Sequence, residues 1–152
     1  MIAAIGNITY LLDAVKGTAT VTKSIVPYSG DVVVPSAVEY GSAEYAVVEI
    51  LDGAFAGCLE LMSVVIGDSV ESIGIGAFEG CGMLASVSFG VGLHVIGMEA
   101  FKGCLSLRQL MLPKGVLVIG KGAFMGCTAL ENVYLPDNLV DIEPSLFDGC
   151  SS

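Results

Sequence analysis

The chain repeats itself at a fixed step of twenty-three positions, and that period constrains its fold more than any other feature. Phenylalanine stands at Phe55, Phe78, Phe101, Phe124 and Phe147, and cysteine at Cys58, Cys81, Cys104, Cys127 and Cys150. A glycine precedes each cysteine, and Ile50, Ile73, Ile96, Ile119 and Ile142 keep the same step. All five cysteines of the chain occupy this one repeat position. The rest of the unit follows in register: Leu61, Leu84, Leu107 and Leu130, then Val64, Val87, Leu110 and Val133, then Ile66, Phe89, Leu112 and Leu135. A single unit of this size cannot bury its own apolar residues; its neighbours must supply the other half of the core. The expectation is a stacked solenoid with ladders of Phe, Ile, Leu and Val through its centre.

Within each unit the spacing divides the work. The stretch Leu-x-x-Val-x-Leu ends in alternation, so Val64 and Ile66 point one way while Ser63 and Val65 point the other, as in a strand. Stacked copies would form a parallel sheet. Gly or Pro after the strand turns the chain, and the Ile-Gly pair begins the return path. Ala-Phe-x-Gly-Cys is too short for a regular helix and reads as one helical or 3₁₀ turn closed by glycine. The fold class is therefore a repeat solenoid, mainly β, with a parallel sheet on one face and short helical or 3₁₀ turns on the return side.

Residues 50–152 hold five such units, the last incomplete, and residues 1–49 read as a β-rich N-terminal cap with one degenerate repeat. In the cap, Val32-Val33-Val34-Pro35 with Val38 aligns with Val133-Tyr134-Leu135-Pro136 and Leu139. Gly41-Ser42 between alternating residues reads as a hairpin turn. Ile8 to Leu12 and Thr18 to Thr22 read as two strands joined through Asp13 to Gly17. The chain stops at Cys150-Ser151-Ser152, where the next Leu of the pattern would come, and two expectations follow: the repeats continue beyond this sequence, or the C-terminal sheet edge pairs with another copy.

The repeat motif resembles the BspA-like, or Treponema-type, leucine-rich repeats. The residues that carry the resemblance are Ile73-Gly74 with Ala77-Phe78-Glu79-Gly80-Cys81, and the same words from Ile96 to Cys104 and from Ile119 to Cys127. The last unit departs from the pattern, with Glu143-Pro144-Ser145-Leu146 in place of Gly-x-x-Ala. The resemblance implies a cell-surface or secreted module that binds host or bacterial surface proteins, as adhesins do. A second reading is a spacer or stalk segment with no ligand of its own.

Composition narrows the alternatives. The net charge is −10, and no Lys or Arg lies between Lys23 and Lys102, an interval with ten Asp and Glu. A phosphate backbone would be repelled there, so nucleic acid is not an expected partner. The apolar content of 54% suits a solenoid core; polar residues or Gly and Pro interrupt every long apolar stretch, so no membrane insertion is expected. Met1 to Gly6 lacks the basic and apolar regions of a signal peptide.

No motif points to catalysis. Cysteines one full repeat apart do not have the close pairing of zinc sites and read as a ladder of reduced, buried thiols. His94, the one histidine, sits in a variable slot and reads as a surface residue rather than a general base. The run Gly74-Ile75-Gly76-Ala77-Phe78-Glu79-Gly80 has the wrong spacing for a dinucleotide loop and recurs as a turn. No enzyme activity, cofactor or metal is expected. What remains is the outward face of the strands: Ser63 and Val65, Ser86 and Ser88, Gln109 and Met111, Asn132 and Tyr134. These rows carry varied chemistry on a fixed scaffold, which suits a protein-binding face with Met111 and Tyr134 as its large anchors.

Overall fold

The computed structural model describes residues 1–139 and 141–151; Val140 and Ser152 lie outside the described residues. Thirteen strands and no helix are present among them. The N-terminal strands are β1 (Ile2–Ile5), β2 (Ile8–Asp13), β3 (Thr18–Thr22), β4 (Gly30–Val34), β5 (Ala37–Tyr40) and β6 (Ala43–Ile50). The repeats contribute β7 (Leu61–Ile66), β8 (Ser72–Ile73), β9 (Ser86–Ser88), β10 (Val95–Ile96), β11 (Gln109–Met111), β12 (Val118–Ile119) and β13 (Asn132–Tyr134).

The solenoid carries two parallel ladders rather than one. The expected ladder runs through β4, β7 and β9, with Val32 beside Val64 and Val64 beside Val87, and resumes through β11 and β13. The second ladder lies on the Ile-Gly segment. There Ile50, Ile73, Ile96 and Ile119 stand side by side along β6, β8, β10 and β12. Its strands in the repeats are too short to show an alternation in sequence, where Ile-Gly reads only as the start of a return path.

The glycine of that pair has a physical task. A side chain at Gly97 would place its Cβ 2.6 Å from the carbonyl carbon of Gly74 in the coil before it. Only a residue without a side chain lets the backbones stack that closely.

The return turns are not helical, which corrects the expectation of helical or 3₁₀ turns. Consecutive amides alternate in direction. Ala77, Glu79 and Cys81 donate backward within the turn to Gly74, Gly76 and Phe78. Gly76, Phe78 and Gly80 donate forward to Met98, Ala100 and Lys102 of the next coil, at 2.7–2.9 Å. A 3₁₀ helix needs every amide to bond within its own segment. Here every second one stitches coil to coil.

The core lies between the ladders and these turns. Phe55, Phe78, Phe101 and Phe124 are wholly buried and stack ring on ring. The centroid spacing widens along the chain from 4.7 to 4.9, 5.4 and finally 5.8 Å at Phe147. Cys81, Cys104, Cys127 and Cys150 each direct the thiol at the carbonyl of the Phe 26 residues upstream, with Sγ···O distances of 3.0–3.3 Å. Burial pushes the thiols of Cys81 and Cys127 up to about 12, with neighbouring sulfurs adding to the shift. Such thiols stay protonated and unreactive near neutrality.

Of the N-terminal strands, β4 starts the first ladder and the others build onto the second. β1, β2 and β3 form an antiparallel meander, and β3 runs parallel to β6. β5 and β6 make the hairpin expected at Gly41-Ser42. β1 goes beyond the two strands that the sequence pattern implies upstream. Tyr28 adds a further feature: its ring lies 4.5 Å from Phe55 and heads the Phe stack, while its hydroxyl donates to Thr22 O and accepts from Thr9 N–H.

The last coil is less covered than the sequence pattern implies. Val133 and Ile142, inward ladder positions by that pattern, are 39% and 55% exposed. The departing segment still stacks: Leu146 is buried in the Ala slot, and Phe124 N–H and Gly126 N–H donate to the carbonyls of Leu146 and Asp148.

Candidate protein-binding face

The alternation in each long strand aims two side chains per coil outward, and parallel register lines them into rows. One row is polar. It runs Asp31, Ser63, Ser86 across β4, β7 and β9, then Gln109, Asn132 across β11 and β13. The other is mostly apolar, running Val33, Val65, Ser88, then Met111, Tyr134. The eight residues expected from sequence thus share one face in two rows. Seven are exposed; Ser63 is half-buried and donates to Asp31 Oδ1 at 2.6 Å. Met111 and Tyr134 are 58% and 56% exposed and stand beside each other.

Asp31 and Val33 extend these rows beyond the expected eight. The alignment of Val32-Val33-Val34-Pro35 with Val133-Tyr134-Leu135-Pro136 is the sequence signal that points to them. Met62 and Arg108, exposed just ahead of the polar row, have no such signal. In sequence they are spacers after Leu61 and Leu107.

The ladder is not continuous across this face. β9 pairs with β7 and β11 pairs with β13, but β9 and β11 are not paired. Ala85 N–H donates to Met62 O, and Glu131 N–H to Arg108 O; the corresponding bond from Arg108 to Ala85 does not occur among the described residues. At the break lies an open groove of about 530 Å³. Its walls include Ser86, Ser88, Gln109 and Met111, half of the expected face, with Arg108 at the rim. Its floor is Val87 and Phe89. The matching residues of adjacent coils, Val64, Ile66, Leu110 and Leu112, are buried, whereas Val87 and Phe89 are partly exposed. Phe89 gives the break a physical cause. It puts an aromatic ring in a slot filled elsewhere by Ile66, Leu112 and Leu135, and the ring packs edge-on against Phe101 at 5.8 Å. The added volume lies under the strands, and the Phe stack widens from the next step onward.

His94 is exposed on the other ladder, where its carbonyl accepts from Leu117 N–H. Among the described residues no group of three or more His, Cys, Asp or Glu side chains is placed to hold a metal ion. No helix among them is long and apolar enough to cross a membrane.

Comparison with known proteins agrees with the architecture. The sequence model of the BspA type leucine rich repeat region matches residues 48–152 in six copies. No curated protein is significantly similar in sequence. Among solved structures, a leucine-rich-repeat protein of Treponema pallidum is 32% identical, with a TM-score of 0.86, over 97% of this chain and 67% of its own. A leucine-rich-repeat protein from Bacteroides capillosus is 30% identical, with a TM-score of 0.78, over 88% of this chain and 96% of its own. A leucine-rich cell surface protein from Faecalibacterium prausnitzii is 29% identical, with a TM-score of 0.66, over 91% of this chain but 44% of its own. The chain therefore spans less than half the length of that last relative.

Proposed function

The chain belongs to the BspA-type leucine-rich-repeat family, and on that premise we propose that it is a cell-surface or secreted protein-binding module of the adhesin type, not an enzyme. The observation that carries this reading is the contrast between the two sides of each strand. The inward positions repeat the same residue types, while the outward positions change from coil to coil: Ser63, Ser86, Gln109 and Asn132 in one row, Val65, Ser88, Met111 and Tyr134 in the other. A fixed scaffold that displays varied side chains is built for recognition. The surface location rests on the description of the Faecalibacterium relative as a cell surface protein. Residues 1–49 act in this reading as the cap that closes the N-terminal end of the core, and residues 50–152 as the repeat array.

The test is capture of host matrix proteins and bacterial surface proteins on a biosensor, comparing wild type with a Met111→Ala, Tyr134→Ala double variant. Both residues are exposed, so the variant keeps its fold. Loss of capture by the variant supports the face. Equal capture by both proteins removes it, and no capture by either favours a spacer segment.

A further inference from the structure

We propose that the groove between β9 and β11 takes an extended partner segment that carries a carboxylate beside an apolar side chain, with Arg108 as the counter-ion. This rests on the protein-binding reading above and names the chemistry of its partner. Three observations converge on one place. Arg108 is the only arginine of a chain with 16 Asp and Glu, yet it is exposed and makes no ion pair among the described residues. Even Glu131, one coil on and bonded to the Arg108 carbonyl through its amide, leaves the guanidinium unpaired. A guanidinium so placed is free to take a carboxylate in two parallel hydrogen bonds.

The second observation is the broken ladder. Parallel strands normally direct their backbone groups at each other. Here no ladder joins β9 and β11, and the Ser86 and Ser88 hydroxyls with the Gln109 amide line the groove as hydrogen-bonding groups for a polypeptide backbone laid along it. The third is the floor. Val87 and Phe89, partly exposed through the gap, offer an apolar seat to a neighbouring side chain of the bound segment. Charge complementarity selects the partner. Arg108 is the one cation among the residues that line this groove, and a basic segment would meet it with like charge.

The experiment uses isotope-labelled chain and a blocked five-residue peptide of sequence serine, glutamate, leucine, glutamate, serine. Its isostere with glutamine for both glutamates is the control, and Arg108→Gln is the variant. The expected result is saturable NMR shifts at the amides of Ser86, Ser88, Gln109 and Met111. Binding should weaken by at least about tenfold both for the isostere and for Arg108→Gln, the range of a lost charged hydrogen bond. Absence of saturable shifts at these amides, equal affinity for the isostere, or full affinity in Arg108→Gln overturns the proposal. Its failure is separable from failure of the face. Whole-protein capture that is lost in the Met111→Ala, Tyr134→Ala variant but unchanged in Arg108→Gln retains the face and removes the groove's role.

Discussion

Removing one ring from the Phe stack measures how far each coil depends on its neighbours. Phe101 is the most informative position. It has no solvent exposure, it stacks on Phe78 at 4.9 Å and Phe124 at 5.4 Å, and Phe89 packs edge-on against it. Phe→Ala in a closed core costs about 3–5 kcal/mol. Aromatic pairs contribute roughly 0.5–1.5 kcal/mol each beyond area burial, so Phe101→Ala belongs in the upper half of that range, about 4–5 kcal/mol. For a domain of this size, about 1 kcal/mol moves the melting point by roughly 2–4 °C, which gives a fall of roughly 10 °C or more. Phe147→Ala is the internal control. That ring is half-buried and stacks on one ring, Phe124, at 5.8 Å, so its loss costs about 1–2 kcal/mol. The assay is thermal and urea unfolding followed by circular dichroism. An unchanged melting point in Phe101→Ala, or equal losses in the two variants, would refute the stacked-core argument.

Gly97→Ala forces a Cβ into the backbone of Gly74, so it should cost about 1–3 kcal/mol in urea unfolding, the range of an overpacked core; a neutral result would show the coils are not so closely stacked. Phe89→Leu restores the side chain used in the two following coils, so β9 and β11 should pair and the Arg108 amide should exchange with deuterium more slowly; unchanged exchange would mean Phe89 does not hold the strands apart. The buried thiols predict an alkaline limit. Cys81 and Cys127 are raised from about 9 to about 12, so the unfolded chain loses these protons first and unfolding releases them. Their contribution is complete below about pH 9 and fades as the pH rises toward 12, so stability should fall across that window. A Cys81→Ala, Cys127→Ala variant should show a shallower fall in pH-dependent unfolding, and a parallel profile would exclude the thiols as its cause.

The solenoid is legible in sequence because side-chain identity repeats wherever a residue must meet its own copy in the next coil. Phe55 to Phe147 and Gly57 to Gly149 are such positions, and the outward Ser63, Val65, Gln109 and Tyr134 follow from alternation within the strand. The second ladder is not legible, because β8, β10 and β12 are two residues long and their hydrogen bonds come from backbone, which leaves little mark on composition. The turns mislead for a related reason. Ala77-Phe78-Glu79-Gly80-Cys81 suits a 3₁₀ turn locally, but the partners of Gly76, Phe78 and Gly80 are Met98, Ala100 and Lys102, in the next coil. Glu99 is another case. It takes a positive φ of 54° where Gly53, Gly76 and Gly122 stand in three of the other four coils, because its place in the stack fixes the backbone, while its carboxylate accepts from Lys102. The groove is hidden as well. In sequence Phe89 is one more apolar ladder residue, and only its packing on Phe101 separates it from Ile66 and Leu112.

In the proposed reading, recognition belongs to the long-strand ladder and not to the Ile-Gly ladder on the other segment of each coil. Amide hydrogen–deuterium exchange of the chain with and without a captured protein partner tests this directly. The expected result is new protection confined to β7, β9, β11 and β13 and their flanking residues, strongest at 86–89 and 108–111. Protection centred instead on β6, β8, β10 and β12 would contradict it.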